Sequence, residues 1–173
     1  MKSIIALIIS CTIALSPCTA DAGLLWHATK RSLAKRIATR GFSQKLMSPK
    51  ARFGKGIYFG KSKITALKEK PKAGAVLKFS ESKNLKHNAI NLTHPTNTRL
   101  KALSGDRNLK GNIHNGLIGP DLGRKLGKYA ARNDKSIIYK SAKDTKGTNI
   151  FVPSKVYEKH PRIIRNKGID YVR

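Results

Sequence analysis

Residues 24–59 constrain the fold of this chain more than any other segment. Leu24-Leu25-Trp26-His27-Ala28-Thr29 opens with an apolar run, which predicts a short strand that ends at His27. Residues 30–39 repeat apolar side chains four positions apart with Lys and Arg between them, as an amphipathic helix does. Gly41 suits the position just beyond a helix C-terminus. Gly54-Lys55-Gly56-Ile57-Tyr58-Phe59 predicts the next strand, so the order is strand, helix, loop, strand.

The remainder of the chain predicts further short strands and helices. Residues 81–118 are polar and rich in Asn, Lys and Gly, and they show no strong period beyond a helical turn at 98–103. The sequence contains no repeat and no internal linker, which favours one α+β domain. The other predicted elements are helices over 62–68 and 120–132, strands over 75–79, 136–139 and 149–152, a turn at 144–147, and a last strand over 161–165.

The N-terminus has the pattern of an export signal. Lys2 is followed by an apolar stretch over residues 4–15, and Ala20-Asp21-Ala22 offers a small-residue cleavage site. We therefore expect a signal peptide over residues 1–22, a domain over residues 23–173, and a secreted or periplasmic protein with no stable membrane span after cleavage. An uncleaved membrane anchor is the alternative. Because Cys11 and Cys18 fall in the signal, the mature chain is expected to have no disulfide and no thiolate chemistry.

The charge of the chain calls for an anionic partner. It contains 36 Lys and Arg against 9 Asp and Glu, a formal net charge of +27. Such an imbalance lowers the stability of a compact chain through self-repulsion. The basic residues extend along the whole mature chain, so nucleic acid, an acidic protein or an anionic surface would each satisfy them. No metal is predicted, because carboxylates are few and no His pair lies at helical spacing.

The motifs of residues 24–67 resemble the NAD-binding half of the ADP-ribosyltransferase fold. The similarity is to the His-Tyr branch, with diphtheria toxin and the poly(ADP-ribose) polymerases. Residues 136–156 resemble the closing hairpin of bacterial ADP-ribosyltransferase toxin domains. The resemblance implies an α+β, ADP-ribosyltransferase-like domain with split antiparallel β-sheets and small flanking helices around an NAD cleft.

In this family a His on the first strand binds the adenosine ribose, and His27 matches that position. Thr29 stands where the family has a hydroxyl, and Ala28 replaces the usual Gly. Ala28 keeps the backbone N–H and C=O that would bind the carboxamide of NAD. The resemblance therefore implies that His27, Ala28 and Thr29 contact the cofactor.

A second family position is an aromatic residue that stacks on the nicotinamide, and Tyr58 matches it. A small hydroxyl residue follows this strand in the family. Thr65 is the candidate for that carboxamide contact, and Ser62 is the alternative.

The third family position is a Glu at the start of a late strand, and here the sequence departs. It offers Thr148 and Asn149, without a carboxylate. Glu158 lies beyond the motif, and Glu69 and Glu81 lie in the other half of the chain. Thr148 or Asn149 is expected to bind the ribose and to support a slower transfer, which favours mono-ADP-ribosylation over polymer synthesis.

These motifs predict a secreted mono-ADP-ribosyltransferase of toxin or effector type, with NAD as substrate and an anionic macromolecule such as nucleic acid as acceptor. An acidic immunity or delivery partner is also expected. Two alternatives stay open at this point. One is an inactive basic module on the same fold that binds nucleic acid or an acidic protein. The other is a cationic secreted ribonuclease, with its acid and base among four further histidines. The basic residues predicted to flank the cleft, and those histidines, are Arg52, Lys55, Lys61, His87, His94, His114 and His160.

Overall fold

A computed structural model describes residues 23–107, 109, 113–114 and 117–172. The predicted signal peptide, with Cys11 and Cys18, lies outside the described residues. The strands are β1 (Leu24–Thr29), β2 (Gly56–Gly60), β3 (Ala75–Glu81), β4 (Ala89–Leu92), β5 (Ile113–His114), β6 (Leu117–Ile118), β7 (Ser136–Lys140), β8 (Thr148–Pro153) and β9 (Ile164–Tyr171). The helices are α1 (Arg31–Arg40), α2 (Lys63–Glu69), α3 (Lys83–His87), α4 (Asn97–Ser104), α5 (Pro120–Arg132) and α6 (Ser154–Lys159).

Seven of the strands form one mixed sheet in the order β4-β7-β8-β2-β1-β3-β9. All neighbouring strands in it are antiparallel except β4 and β7. β5 and β6 form a separate two-stranded ribbon. The predicted α+β class is confirmed.

The pairing between β1 and β2 is the shortest contact between neighbouring strands of this sheet. β1 pairs with β3 along its whole length, from Leu24 opposite Ser80 to Thr29 opposite Ala75. With β2 it shares one register pair, Trp26 opposite Gly60. The split between two sheets that the resemblance implies is here a junction within one sheet. Beyond that pair the two strands part, and the gap between them is where His27 and Tyr58 lie.

Helices cover both faces of the sheet. On one face, Leu25, Ile57 and Phe59 pack against buried side chains of α1 and α6. On the other face, Tyr58 and Phe151 pack beside the buried side of α5. A smaller cluster on that second face joins Ala28 of β1 to Ala66 of α2. The burial of these side chains positions the two strands that bound the junction.

Most predicted elements are confirmed, and the differences have physical reasons. Residues 81–118, which gave no strong period, contain α3, β4 and α4 among their described residues. The last strand was predicted too early. Pro161–Ile163 is a 3-10 turn, and the strand runs over Ile164–Tyr171 at the edge of the sheet. Because most of that strand is exposed, its sequence is polar and lacks an apolar strand signal.

No helix in the described part of the chain is both long enough and apolar enough to cross a membrane.

Candidate functional site

A cavity of about 370 Å³ opens at the junction of β1 and β2. This volume falls in the range of small-molecule sites. α1, the loop after it, β8 and the end of α2 complete its walls. Its chemically functional lining includes His27, Tyr58, Glu69, Lys70, Tyr139 and Asn149.

His27 is held in one orientation by its backbone neighbour across the junction. Its Nδ1 lies 2.9 Å from the carbonyl oxygen of Tyr58. A carbonyl oxygen only accepts, so Nδ1 carries the proton and donates. The ring also meets the edge of Phe42, with centroids 5.1 Å apart. Burial, the larger cause, and the charge of Lys70 lower the pKa of His27 below its ordinary value of 6.5, against the hydrogen bond to Tyr58. The imidazole is therefore neutral near pH 7, and its Nε2 is an acceptor.

Tyr58 is fixed by its hydroxyl as well as by its ring. The hydroxyl accepts a hydrogen bond of 2.9 Å from the N–H of Phe53 and donates one of 3.1 Å to the carbonyl of Gly54. The ring packs on Phe151 at a centroid distance of 4.9 Å. Burial raises the pKa of Tyr58 to about 12, so the hydroxyl stays protonated. A tyrosine held at both ends presents a rigid aromatic surface to the cavity.

The loop that holds Tyr58 rests directly on helix α5. A Cβ atom on Gly127 would lie 1.9 Å from the carbonyl oxygen of Phe53, and one on Gly123 would lie 2.4 Å from that of Arg52. Two glycines one helical turn apart therefore let the loop backbone contact the helix. Gly54 follows with a φ of +86°, a conformation that glycine adopts most readily.

A carboxylate that the sequence placed outside the site reaches Asn149. Glu69, the last residue of α2, accepts hydrogen bonds on Oε1 from Asn149 Nδ2 at 2.8 Å and from Ser141 Oγ at 2.6 Å. Asn149 and Ser141 are buried, whereas Glu69 is exposed and lines the cavity. Asn149 Oδ1 has no hydrogen-bond partner at normal geometry among the described residues. The sequence alone excludes Glu69 from the site because this residue lies in the other half of the chain. This exclusion is wrong, because α2 folds back onto β8 and brings Glu69 to Asn149.

Glu69 differs from most other described carboxylates in having no cationic partner in the described part of the chain. Among the described residues, six carboxylates form ion pairs with Lys or Arg, and Glu69 is held by an amide and a hydroxyl instead. In the described part of the chain, no Lys or Arg therefore lies within ion-pair distance to compete with a ligand for the Glu69 carboxylate. The paired carboxylates are Glu81, Asp106, Asp121, Asp134, Asp144 and Asp170.

Tyr139 of β7 forms the wall next to Asn149. Burial is the largest cause of its raised pKa, and Tyr58 and Glu69 act in the same direction against the opposing effects of Arg52 and Asn149. The guanidinium of Arg52 lies over the Tyr139 ring, 5.7 Å from its centroid. Sequence reasoning missed this residue. An aromatic side chain that directly follows two isoleucines in a short strand is an ordinary core residue by its pattern.

Three predicted site residues lie outside the cavity lining. Ser62 caps α2 by accepting a hydrogen bond from the N–H of Thr65. Thr65 is buried and donates to Asp144 Oδ2 at 2.8 Å. The carbonyl of Thr148 accepts from the N–H of Lys61. Ala28 and Thr29, in contrast, line the cavity with His27.

Three of the four histidines of the ribonuclease alternative have described side chains, and these three do not line this cavity. His87, His94 and His160 are exposed, and His160 lines a second cavity whose lining residues are all different from those of the first. The side chain of His114 lies outside the described part of the structure. Nor do the described residues contain a group of three or more His, Cys, Asp or Glu arranged to hold a metal ion.

Neither a scan against models of known protein families nor a search of curated proteins finds a match to this chain.

Proposed function

We propose that the protein is a secreted mono-ADP-ribosyltransferase of toxin or effector type that transfers ADP-ribose from NAD to a macromolecular acceptor. The observation that supports this function is the cavity at the β1–β2 junction. It brings together His27 and Tyr58, which match the first two family positions, and Asn149, one of the two residues offered in place of the missing late Glu. It also adds the carboxylate of Glu69, which the late strand lacks.

The chemical groups of the cavity fit the parts of NAD. Neutral His27 offers Nε2 as an acceptor for a ribose hydroxyl, because Nδ1 is engaged with the Tyr58 carbonyl. The fixed ring of Tyr58 offers a face for the nicotinamide to stack upon. Lys70 lines the same cavity and offers a cation for the diphosphate.

Glu69 takes the role of the missing late carboxylate. When the bond between nicotinamide and ribose breaks, its electron pair leaves with nicotinamide and positive charge develops on the ribose carbon. A carboxylate held in place beside that carbon stabilises the charge. The acceptor atom then forms the new bond to the ribose carbon and loses its proton to Glu69 or to water. Asn149 and Ser141 position Glu69 through its Oε1, which leaves Oε2 for the substrate.

The ribonuclease alternative has less support. It needs an acid and a base that face one phosphate, and His87, His94 and His160 are exposed in separate segments of the chain. The main argument for the inactive binding module is the missing late carboxylate, and the position of Glu69 beside Asn149 weakens that argument.

Nicotinamide release from NAD by the purified mature chain, residues 23–173, tests the proposal. The assay is run with and without RNA, DNA or cell lysate, beside Tyr58→Ala. We expect release that depends on Tyr58 and rises with one class of acceptor. Absence of both release and NAD binding by calorimetry would contradict the proposed function.

A further inference from the structure

Helix α1 and the residue before it carry five exposed Lys and Arg side chains that form no ion pair among the described residues. Within the described part of the chain none of the five pairs with a carboxylate, and the helix itself contains no acidic residue. We call this group the α1 cation surface. Its members are Lys30, Arg31, Lys35, Arg36 and Arg40.

This arrangement disfavours the free helix. Arg31 with Lys35, and Arg36 with Arg40, are like charges four positions apart, which repel each other on a helix surface. Lys30 and Arg31 stand at the N-terminus, where the helix dipole favours anions instead. A helix so charged gains stability when an anion covers it.

The α1 cation surface extends from the edge of the sheet to the cavity. At one end Arg31 donates to the carbonyl of Val172 at 3.3 Å and lies over the ring of Tyr171. Successive residues of a helix turn by about 100°. Arg36 and Arg40 therefore lie on the same side of the helix as Leu33, which lines the cavity. Arg31 lies on the other side of the helix.

We propose that the α1 cation surface binds the phosphate backbone of nucleic acid and directs that strand toward the cavity. Guanidinium groups match phosphate oxygens in two-point contacts. Between the cations the exposed side of α1 presents Ser32, and a serine hydroxyl can also donate to a phosphate oxygen.

A membrane or an acidic protein fits this surface less well. Helices that bind at a membrane surface bury an apolar face in lipid. The apolar face of α1 is already used, because Ala34 and Ile37 are buried in the protein core. The centre of a protein–protein interface is apolar and poor in charge. A polar, cationic and wet surface is instead typical of contact with a phosphate backbone.

Binding of a labelled nucleic acid duplex of mixed sequence, measured by fluorescence anisotropy without NAD, tests this inference. The variant combines Lys35→Gln, Arg36→Gln and Arg40→Gln. The matched control combines Arg99→Gln, Lys101→Gln and Lys128→Gln, which remove the same charge from exposed, unpaired cations of α4 and α5. Circular dichroism confirms that both variants fold. The assay does not depend on the proposed transferase activity, so the two proposals fail separately.

We expect the α1 variant to bind roughly tenfold more weakly at low salt. The slope of log K against log salt concentration should fall in magnitude by about 2.7, because each of the three lost phosphate contacts contributes about 0.9 to it. The control should retain most of both quantities. Equal losses in the two variants would overturn the inference, because they would reflect overall charge alone. Binding of the wild type to polyglutamate or to anionic vesicles, with no binding to the duplex, would overturn it as well.

Discussion

Asn149 Nδ2 donates a hydrogen bond of 2.8 Å to Glu69 Oε1 across 80 positions of the sequence. This contact joins the end of α2 to the start of β8, and it brings a carboxylate to the strand that lacks one. The same oxygen accepts from Ser141, so two neutral donors hold Glu69 in place. The electrostatic part of the proposed site therefore depends on an acid that no motif marks.

Replacement of Glu69 by glutamine is expected to reduce nicotinamide release by about 10²–10³-fold, the usual effect of losing one group that stabilises transition-state charge. Glutamine keeps a carbonyl oxygen for Ser141 and Asn149, so the fold is expected to remain. Steady-state assays of Glu69→Gln, beside the exposed control Glu158→Gln, measure the effect. Equal activity in the two variants would show that Glu69 has no role in catalysis.

Replacement of Tyr58 by phenylalanine is expected to lower the free energy of unfolding by about 1–3 kcal/mol, because the N–H of Phe53 loses its acceptor. Urea denaturation measures the change. Tyr129→Phe is the matched control, since its hydroxyl makes no hydrogen bond among the described residues. If the two variants are equally stable, the hydroxyl of Tyr58 does not anchor the loop.

Replacement of Thr65 by valine separates a structural role from a cofactor contact. Valine fills the same volume but leaves Asp144 Oδ2 without the donor that Thr65 provides. Because Thr65 is buried outside the cavity lining, we expect a lower thermal midpoint and an unchanged KM for NAD. A raised KM with an unchanged midpoint would restore Thr65 as a carboxamide contact.

The fold near the site could be predicted because local signals carry it. Apolar runs predicted β1 and β2, and the alternation of apolar and basic residues predicted α1. His27 and Tyr58 could be chosen because each lies in a short motif, residues 24–29 and 54–59, that resembles the ADP-ribosyltransferase fold. These signals involve only residues a few positions apart.

The rest depended on contacts between distant segments. Glu69 lies 80 positions before Asn149, so the sequence does not indicate that the two are close. Only the packing of α2 beside β8 brings Glu69 to Asn149. Ser62 and Thr65 carry the right hydroxyls, but capping of α2 and pairing with Asp144 use them. Residues 81–118 gave no period because their described helices and strands are short and largely polar.

Replacement of Gly127 by alanine tests the contact between α5 and the loop that holds Tyr58. Alanine has the higher helix propensity by about 1 kcal/mol, so on an exposed helix it would stabilise. Here its Cβ would lie 1.9 Å from the Phe53 carbonyl, and the loop must move. We expect destabilisation of about 1–3 kcal/mol and lower NAD affinity. Lys128→Ala, on the exposed side, is the control. A stabilised Gly127→Ala variant would contradict the close contact.

The pH dependence of stability is expected to report on His27. The pKa of His27 in the folded protein is lowered below its ordinary value of 6.5, and burial is the largest cause of this shift. The unfolded chain therefore takes up this proton first as the pH falls. The stabilisation by neutral His27 is fully present above pH 6.5 and is lost as the pH falls from there toward the folded pKa.

His27→Asn removes this titration and keeps an N–H for the Tyr58 carbonyl. Below pH 6.5, the free energy of unfolding of the wild type should fall more steeply with acid than that of the variant. His160→Asn, at an exposed position outside the cavity, is the control variant. Nicotinamide release by the folded wild type should decline only at the lower end of this window, where the folded protein itself takes up the proton on Nε2 and loses the acceptor for the ribose. If His27→Asn and the wild type show the same slope, His27 is not held neutral by burial, and its assignment as an acceptor fails with it.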